Sequence, residues 1–164
     1  MAEIDSFGRD PNYFEMLQKA NASNRCLLCP EEIEKNNPRE SILRELGGWV
    51  LMRSLFPYKF TESNPEIAEG HILVFTIRHV ISPTELNADE RNGFWNICET
   101  AQNEFGAKTS AIVMRYSTEE DHHSIGASIQ HLHAHIITPH FDPVTKRVPG
   151  ANSPSAEQVK FYFG

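Results

Sequence analysis

Polar and apolar residues alternate most regularly over residues 129–137, which read Ile-Gln-His-Leu-His-Ala-His-Ile-Ile. Histidine stands at every second position, from His131 to His135, and aliphatic residues stand between. Successive side chains of a β-strand point to opposite faces. The pattern therefore predicts a strand that begins near Ile129, with three imidazoles on one face and aliphatic side chains on the other. Neighbouring imidazoles on such a strand are about 6.6 Å apart.

The rest of the chain divides into segments with helical or strand periodicity. Apolar residues at three- and four-residue spacing predict one long helix over residues 87–105, with Asn87 as its N-cap and Gly106 at its end. The dipeptide Gly47-Gly48 predicts a hairpin turn. The other predicted elements are short helices at 11–20 and 31–35 and strands at 41–45, 49–53, 71–76 and 110–116.

This order of elements predicts an α+β fold. Tightly connected neighbouring strands and one main helix indicate a mostly antiparallel sheet of about five strands, with the short helices at the N-terminus. A length of 164 residues fits one domain, 1–164, with its core at about 26–139, an N-terminal helical extension and a C-terminal tail. Residues 56–70 are predicted to form a long loop. The aromatic segment 159–164 is expected to pair as an edge strand or to cover a partner surface.

Charge and hydropathy exclude some classes of partner. A net charge of −7 argues against broad nucleic-acid binding, which needs a basic surface, but it allows a small anionic ligand in a locally positive pocket. No apolar run approaches the roughly 18 residues that cross a bilayer. The N-terminal residues are acidic and lack the apolar segment of a secretory signal. We therefore expect no membrane association and a cytoplasmic location.

The three cysteines do not suggest a disulfide framework in a reducing compartment. Cys26 and Cys29 have the two-residue gap of half a zinc site and also of a redox pair. The redox alternative is weaker because no predicted strand leads into the motif and no long helix begins with it. Cys98 lies on the apolar stripe of the long helix, which favours a buried small side chain over a reactive thiol.

Three segments together resemble the histidine triad (HIT) superfamily, over residues 26–139. Histidine alternates with hydrophobic residues in the family's signature, and a serine follows small residues just before it. An earlier strand of the family begins with a histidine and ends in a basic residue followed by histidine, and a subset of its members carries zinc. The matching segments here are 126–128 with His131-Leu-His133-Ala-His135, residues 71–79, and Cys26 with Cys29. The resemblance implies a HIT-like fold of the zinc-containing, hydrolase-type branch.

The resemblance also implies a role for individual residues. His133 would attack the α-phosphorus of a nucleotide and form a covalent nucleotidyl-histidine, since neutral imidazole is a good nucleophile. His135 would stabilise charge on the transferring group. Ser128 would bond a phosphate oxygen or the leaving group, and His71 would support the triad from the adjacent strand. The expected substrate-binding residues are Ser128, Gln130, Arg115 and Ser54.

The zinc-containing relatives imply a complete ligand set for this chain. Cys26 and Cys29 would bind zinc together with His79, which ends the earlier strand, and with His131, the first triad histidine. Four such ligands close a tetrahedral zinc site and leave no open position. Zinc would therefore be structural and would tie the N-terminal segment to the active strand.

The chain departs from the family pattern at two positions. Ser54 stands about where relatives carry an acidic residue for the ribose hydroxyls, and the loop 59–69 is a source of a replacement, Glu62 or Glu66. Arg115 stands where relatives often have an asparagine. Arg115 either neutralises a highly charged phosphate ligand or is a solvent-facing residue at the end of a strand. His122 and His123 are expected to be exposed loop residues.

The leading hypothesis is a hydrolase or transferase that cleaves at the α-phosphate of a nucleoside phosphoramidate or a dinucleoside polyphosphate. One alternative is a catalytically weak nucleotide-binding or interaction module. Others are a nucleotidyltransferase or phosphorylase that uses an acceptor other than water, and a hydrolase with catalytic zinc. The expected partner is a nucleotide or dinucleotide. The resemblance also allows a homodimer through the long helix, with Trp95 at the interface.

Overall fold

The structure, a computed structural model, describes residues 11–57, 70–118 and 129–138. Its elements follow the predicted order, and most of their ends lie within two residues of the predicted ones. Two 3₁₀ turns, Arg39–Ser41 and Pro83–Glu85, were not predicted. The helices and strands are α1 (Pro11–Ala22), α2 (Pro30–Asn36), β1 (Ile42–Leu46), β2 (Trp49–Arg53), β3 (Gly70–Thr76), α3 (Ala88–Glu104), β4 (Ala111–Arg115) and β5 (His133–Thr138).

The five strands form one antiparallel sheet in the order β1-β2-β3-β5-β4. The hairpin β1–β2 turns through Gly47 and Gly48, whose φ angles of 59° and 81° favour glycine. β5 is inserted between β3 and β4, so the last strand that the structure describes pairs on both sides. The predicted α+β class with a five-stranded antiparallel sheet is confirmed.

One face of the sheet, called here the α3 face, packs against α3. The helix begins with a capping box in which the Asn87 side chain accepts from the Glu90 N–H and the Glu90 carboxylate accepts from the Asn87 N–H. The buried side chains on this side are almost all apolar, and alternate residues of each strand supply them. The cluster includes Trp49, Leu51, Ile72, Val74, Ile97, Ala101, Ala134 and Ile136.

The N-terminal helices cover part of the opposite face. Leu28 and Ile33 pack against β2 and β3 residues whose side chains point away from α3. A neighbouring cluster contains Leu17, Ala20 and Leu27 and reaches Ile129. The first two helices are therefore packed against the residues that precede β5.

The prediction that the last strand begins near Ile129 is wrong, because β5 begins at His133. The reason is the length of β3, which ends at Thr76 and offers no ladder beyond that point. Before His133 the chain bends away, and the Leu132 N–H donates to the carbonyl of Val80 instead. His131 therefore lies outside the strand, and only His133 and His135 share its face.

Several sequence predictions lie outside the described residues. They concern Ser128, Glu62, Glu66, His122, His123, most of the loop predicted at 56–70, and the segment 159–164. In the part of the chain that the structure describes, no helix combines the length and the apolar character needed to cross a membrane.

Candidate functional site

The face opposite α3 carries His71, His133 and His135 and is called the histidine face. The cross-strand pairs place these side chains on one side: His133 is opposite Phe75, His135 is opposite Leu73, and His71 is opposite Ile137. All three histidines are buried, with at most 9% of the residue surface exposed. Alternation along β3 and β5 thus gathers three imidazoles under the N-terminal part of the chain.

The ring of His133 is oriented by the backbone of His131. His133 Nδ1 lies 2.6 Å from the carbonyl oxygen of His131. A carbonyl oxygen only accepts hydrogen bonds, so Nδ1 carries the proton and Nε2 keeps its lone pair. Burial, first, and the positive charge of Arg115 lower the pKa of His133. His133 is therefore a neutral imidazole with a nucleophilic nitrogen on the ring edge opposite the backbone.

His135 and His71 form a hydrogen-bonded pair across β5 and β3. His71 Nε2 lies 2.9 Å from His135 Nδ1. One of these nitrogens donates and the other accepts, so the pair is satisfied with both rings neutral. Burial lowers the pKa of His71 to about 4, which keeps that ring uncharged at physiological pH. The His135 ring also stands edge-on to His133, with centroids 5.1 Å apart.

Arg115 lies directly opposite His133 in the β4–β5 ladder, at the end of β4. Its side chain is half-buried and points to the histidine face by the alternation of β4. Arg115 therefore shares a face with His133, and its binding role and the solvent-facing alternative both stay predictions. The sequence did not predict this pairing, because it depends on the register between β4 and β5.

The four predicted metal ligands come together. Cys26, Cys29, His79 and His131 each present one ligand atom, and all four atoms lie within 4.8 Å of one another. Cys26 Sγ is 3.2 Å from His131 Nδ1, and Cys29 Sγ is 3.3 Å from His79 Nδ1 and 3.9 Å from His131 Nδ1. These residues form a possible metal-binding group.

The donor set and its distances fit a tetrahedral zinc ion. Such an ion holds sulfur and nitrogen ligands about 3.5 Å apart, from bonds of about 2.3 Å to sulfur and about 2.0–2.1 Å to nitrogen. His131 Nε2 lies 2.8 Å from the carbonyl oxygen of Thr76, so it carries the ring proton and leaves Nδ1 free to face the sulfurs. A backbone acceptor on the second nitrogen is the usual support of a metal-binding histidine.

The Cys29 thiol differs from the thiol of a reactive CxxC pair. Burial, followed by the neighbouring Cys26, raises the pKa of Cys29 to about 12, whereas reactive CxxC cysteines have lowered values. A helix does begin directly after Cys29, but α2 has only 7 residues. Cys98 packs against the core, and burial raises its pKa to about 11, as a buried structural thiol requires.

Three other residues singled out in the sequence are described by the structure: Ser54, Gln130 and Trp95. The Ser54 N–H donates to the carbonyl of His71 at 2.9 Å, and the Ser54 hydroxyl accepts from the Phe56 N–H. Gln130 is half-buried in the bend before β5. Trp95 lies on α3 and is 67% exposed, so it is not one of the buried residues of this helix.

Sequence reasoning missed Thr76, which is fully buried. Its hydroxyl lies 3.1 Å and its carbonyl oxygen 2.8 Å from His131 Nε2, so it holds the ring that faces the cysteines. The available signal was a single polar residue at the end of an apolar strand. Arg78 was also missed: it pairs with Glu90 at 2.8 Å and fixes the turn that carries His79.

Comparison with known proteins identifies related chains. A family model of the HIT domain matches residues 58–142, more than half of the chain. No curated protein matches the sequence significantly.

Solved structures resemble the fold at low sequence identity. A hypothetical protein from Leishmania major is 16% identical over 74% of this chain and 77% of its own, with a TM-score of 0.50. A HIT family hydrolase from Legionella pneumophila is 17% identical over 71% and 94%, with a TM-score of 0.49. The diadenosine triphosphate hydrolase of Plasmodium falciparum, solved with Cyclomarin A, is 18% identical, and the match spans 65% of each chain with a TM-score of 0.47. The predicted HIT-like fold is confirmed.

Proposed function

The chain belongs to the HIT domain family, and from this premise we propose that it is a nucleotide hydrolase or transferase. It cleaves at the α-phosphate of a nucleoside phosphoramidate or a dinucleoside polyphosphate. The observation that carries the proposal is the hydrogen bond of 2.6 Å from His133 Nδ1 to the His131 carbonyl. It leaves Nε2 of a neutral imidazole as the nucleophile, which a protein that only binds nucleotides does not need.

The reaction has two steps. His133 Nε2 attacks the α-phosphorus, a P–N bond forms, and the bond to the leaving group breaks with its electron pair going to that group. Water, or another acceptor, then attacks the same phosphorus and loses a proton to the solvent. The P–N bond breaks with its electron pair returning to Nε2, and the nucleotide is released. His135, held by His71, donates to oxygens of the transferring phosphoryl group, where charge stabilisation matters most. Ser128, Gln130 and Ser54 complete the proposed substrate contacts.

The experiment that tests this function follows both product and intermediate. Adenylyl and guanylyl phosphoramidates and dinucleoside polyphosphates are incubated with the protein, and intact mass is measured after a rapid acid-free quench. We expect turnover of at least one compound and an adduct of one nucleotidyl group on wild type, with neither in His133→Ala. Nucleotide affinity without adduct or product would favour the binding module. Equal turnover by His133→Ala would refute the proposed nucleophile.

We also propose that Cys26, Cys29, His79 and His131 hold one structural zinc ion. The fit of the donor distances and the Thr76 contact to His131 support this assignment. Zinc would neutralise the thiolates and fix His131, whose carbonyl in turn orients His133. The group would join the segment before α2 to the turn after β3 and to the bend before β5. This supports the proposal of a single HIT-like domain, 1–164. Reduced thiolate ligands also support a cytoplasmic location.

Metal analysis of protein purified without added metal tests the zinc assignment. We expect about one zinc ion per chain in wild type, and far less in Cys26→Ser. Cys98→Ser is the matched control, since Cys98 lies in the core away from the metal-binding group, and it should keep the metal. Metal-free wild type with freely reactive Cys26 and Cys29 would contradict the assignment.

A further inference from the structure

Arg115 is placed to contact whatever is bound to His133. The two residues are directly opposed in the β4–β5 ladder. Directly opposed residues point to the same face, with Cβ atoms about 4.5–5.5 Å apart. An arginine side chain is longer than an imidazole, so the guanidinium of Arg115 can reach past the ring of His133 to a ligand bound there.

Arg115 brings a positive charge to the part of the histidine face beside His133. The carboxylate of Glu45 stands on the same face, but at the other edge of the sheet, in β1 opposite Val50. The positions of β2 to β5 that share the face are Val50, Met52, His71, Leu73, Phe75, Ala111, Val113, Arg115, His133, His135 and Ile137. A fixed cation beside a neutral imidazole favours anionic ligands more strongly in a protein than in water.

The leaving group distinguishes the two substrate classes of the proposed reaction. When His133 attacks a dinucleoside polyphosphate, the P–O bond breaks and a phosphate chain leaves as an anion. When it attacks a phosphoramidate, the P–N bond within the substrate breaks. An amine then leaves, and it has to gain a proton. Arginine stays protonated in proteins and donates hydrogen bonds, but it does not supply a proton. Arg115 therefore assists a phosphate leaving group and does not assist an amine.

We propose that Arg115 binds the phosphate next to the α-phosphate and makes the site selective for phosphoanhydrides over phosphoramidates. This inference rests on the proposed function. A guanidinium binds two phosphate oxygens at once, which an asparagine or a lysine in the same place does not do. The preferred substrate class is then a nucleotide with at least one phosphate beyond the scissile bond.

Binding measurements test the assignment without turnover. Dissociation constants of ADP, AMP, GDP and GMP are measured in a His133→Ala background, with and without Arg115→Gln. With Arg115 present, we expect each diphosphate to bind about 10- to 100-fold more tightly than its monophosphate. Arg115→Gln brings the ratio close to one, and Arg115→Lys gives an intermediate ratio. Arg53→Gln is the matched control, because Arg53 also ends a strand but is exposed on the α3 side, and it keeps the wild-type ratio. Equal ratios with and without Arg115 would overturn the inference.

Turnover separates this inference from the function on which it rests. In otherwise wild-type protein, Arg115→Gln should lower the ratio of kcat/KM for a dinucleoside polyphosphate to kcat/KM for a phosphoramidate by about 10- to 100-fold. Equal losses on both substrates would refute the role of Arg115 and leave the proposed function standing. Absence of turnover of both by wild type would refute the proposed function, and the binding ratio would still decide on Arg115.

Discussion

The two faces of the sheet are made from alternate residues of the same strands, yet they differ in almost every physical respect. In β5, Ala134 and Ile136 point to α3 and lie in an apolar cluster, whereas His133 and His135 point to the other side. The α3 face is held by burial of apolar surface, at about 25 cal/mol per Å². Burial of an imidazole stabilises the fold less, because its ring nitrogens lose their hydration and need hydrogen-bond partners in the protein.

The histidine face meets this requirement with hydrogen bonds. His133 bonds to the His131 carbonyl, and His135 bonds to His71. Among the described residues, no buried side-chain nitrogen or oxygen lacks a partner. The comparison shows how one strand supports both tasks: one set of residues stabilises the fold, and the alternate set carries buried, hydrogen-bonded imidazoles.

The largest effects are expected from substitutions on the two faces of β5. His133→Ala should lower turnover by about 10³-fold or more, because it removes the nucleophile. Its effect on the free energy of unfolding should be about 1 kcal/mol, the usual net value of one hydrogen bond. Turnover assays and urea denaturation, both on purified protein, measure the two effects.

Ile136→Ala is the counterpart on the α3 face. It leaves a cavity in the apolar cluster and should lower the free energy of unfolding by about 2–5 kcal/mol. Turnover per folded molecule should stay near the wild-type value. If Ile136→Ala lost activity as severely as His133→Ala while folded, the two faces would not be separable in the way the structure indicates.

The pH dependence of stability should depend on His71. Burial sets the pKa of His71 at about 4 in the folded protein, against about 6.5 in the unfolded chain. Between these values the unfolded chain binds the proton and the folded protein does not. Titration of His71 therefore does not affect the free energy of unfolding above pH 6.5. As the pH falls toward 4, it lowers the free energy of unfolding by about 3 kcal/mol in total.

The variant His71→Asn isolates this contribution. Asparagine does not titrate, so the free energy of unfolding of the variant should fall less steeply between pH 6.5 and pH 4 than that of wild type. Any constant cost of the substitution shifts the whole curve and does not change its slope. Parallel curves for the two proteins would show that His71 titrates normally in the folded state.

The sequence predicted the elements, because these follow from local patterns. The Gly47-Gly48 turn and the Asn87 cap are set by neighbouring residues, and the structure has both. The ligand set came from the resemblance to a family, and the four residues do meet. The roles assigned to His133, His135 and Ser128 stay predictions.

Long-range pairing explains what the sequence did not predict. The start of β5 depends on where β3 ends, and the position of Arg115 depends on the register of β4. Neither is visible in a local pattern, since a register is decided by the partner strand. Gly93 is another case: in the sequence it is an ordinary helix-weakening glycine, and only the packing of α3 on the hairpin gives it a reason.

The smallest effect, and the sharpest test of close packing on the α3 face, concerns Gly93 in α3. A Cβ at this position would lie 2.1 Å from the carbonyl oxygen of Gly47, which is backbone and does not rotate away. Gly→Ala within a helix normally stabilises by about 1 kcal/mol. Here we expect Gly93→Ala to destabilise by about 1–3 kcal/mol, because α3 has to shift off the hairpin. Asn92→Ala, at the exposed neighbouring position, is the control and should be neutral or slightly stabilising in the same urea titration. A stabilised Gly93→Ala would mean that the hairpin and α3 are not in the close contact on which the α3 face depends.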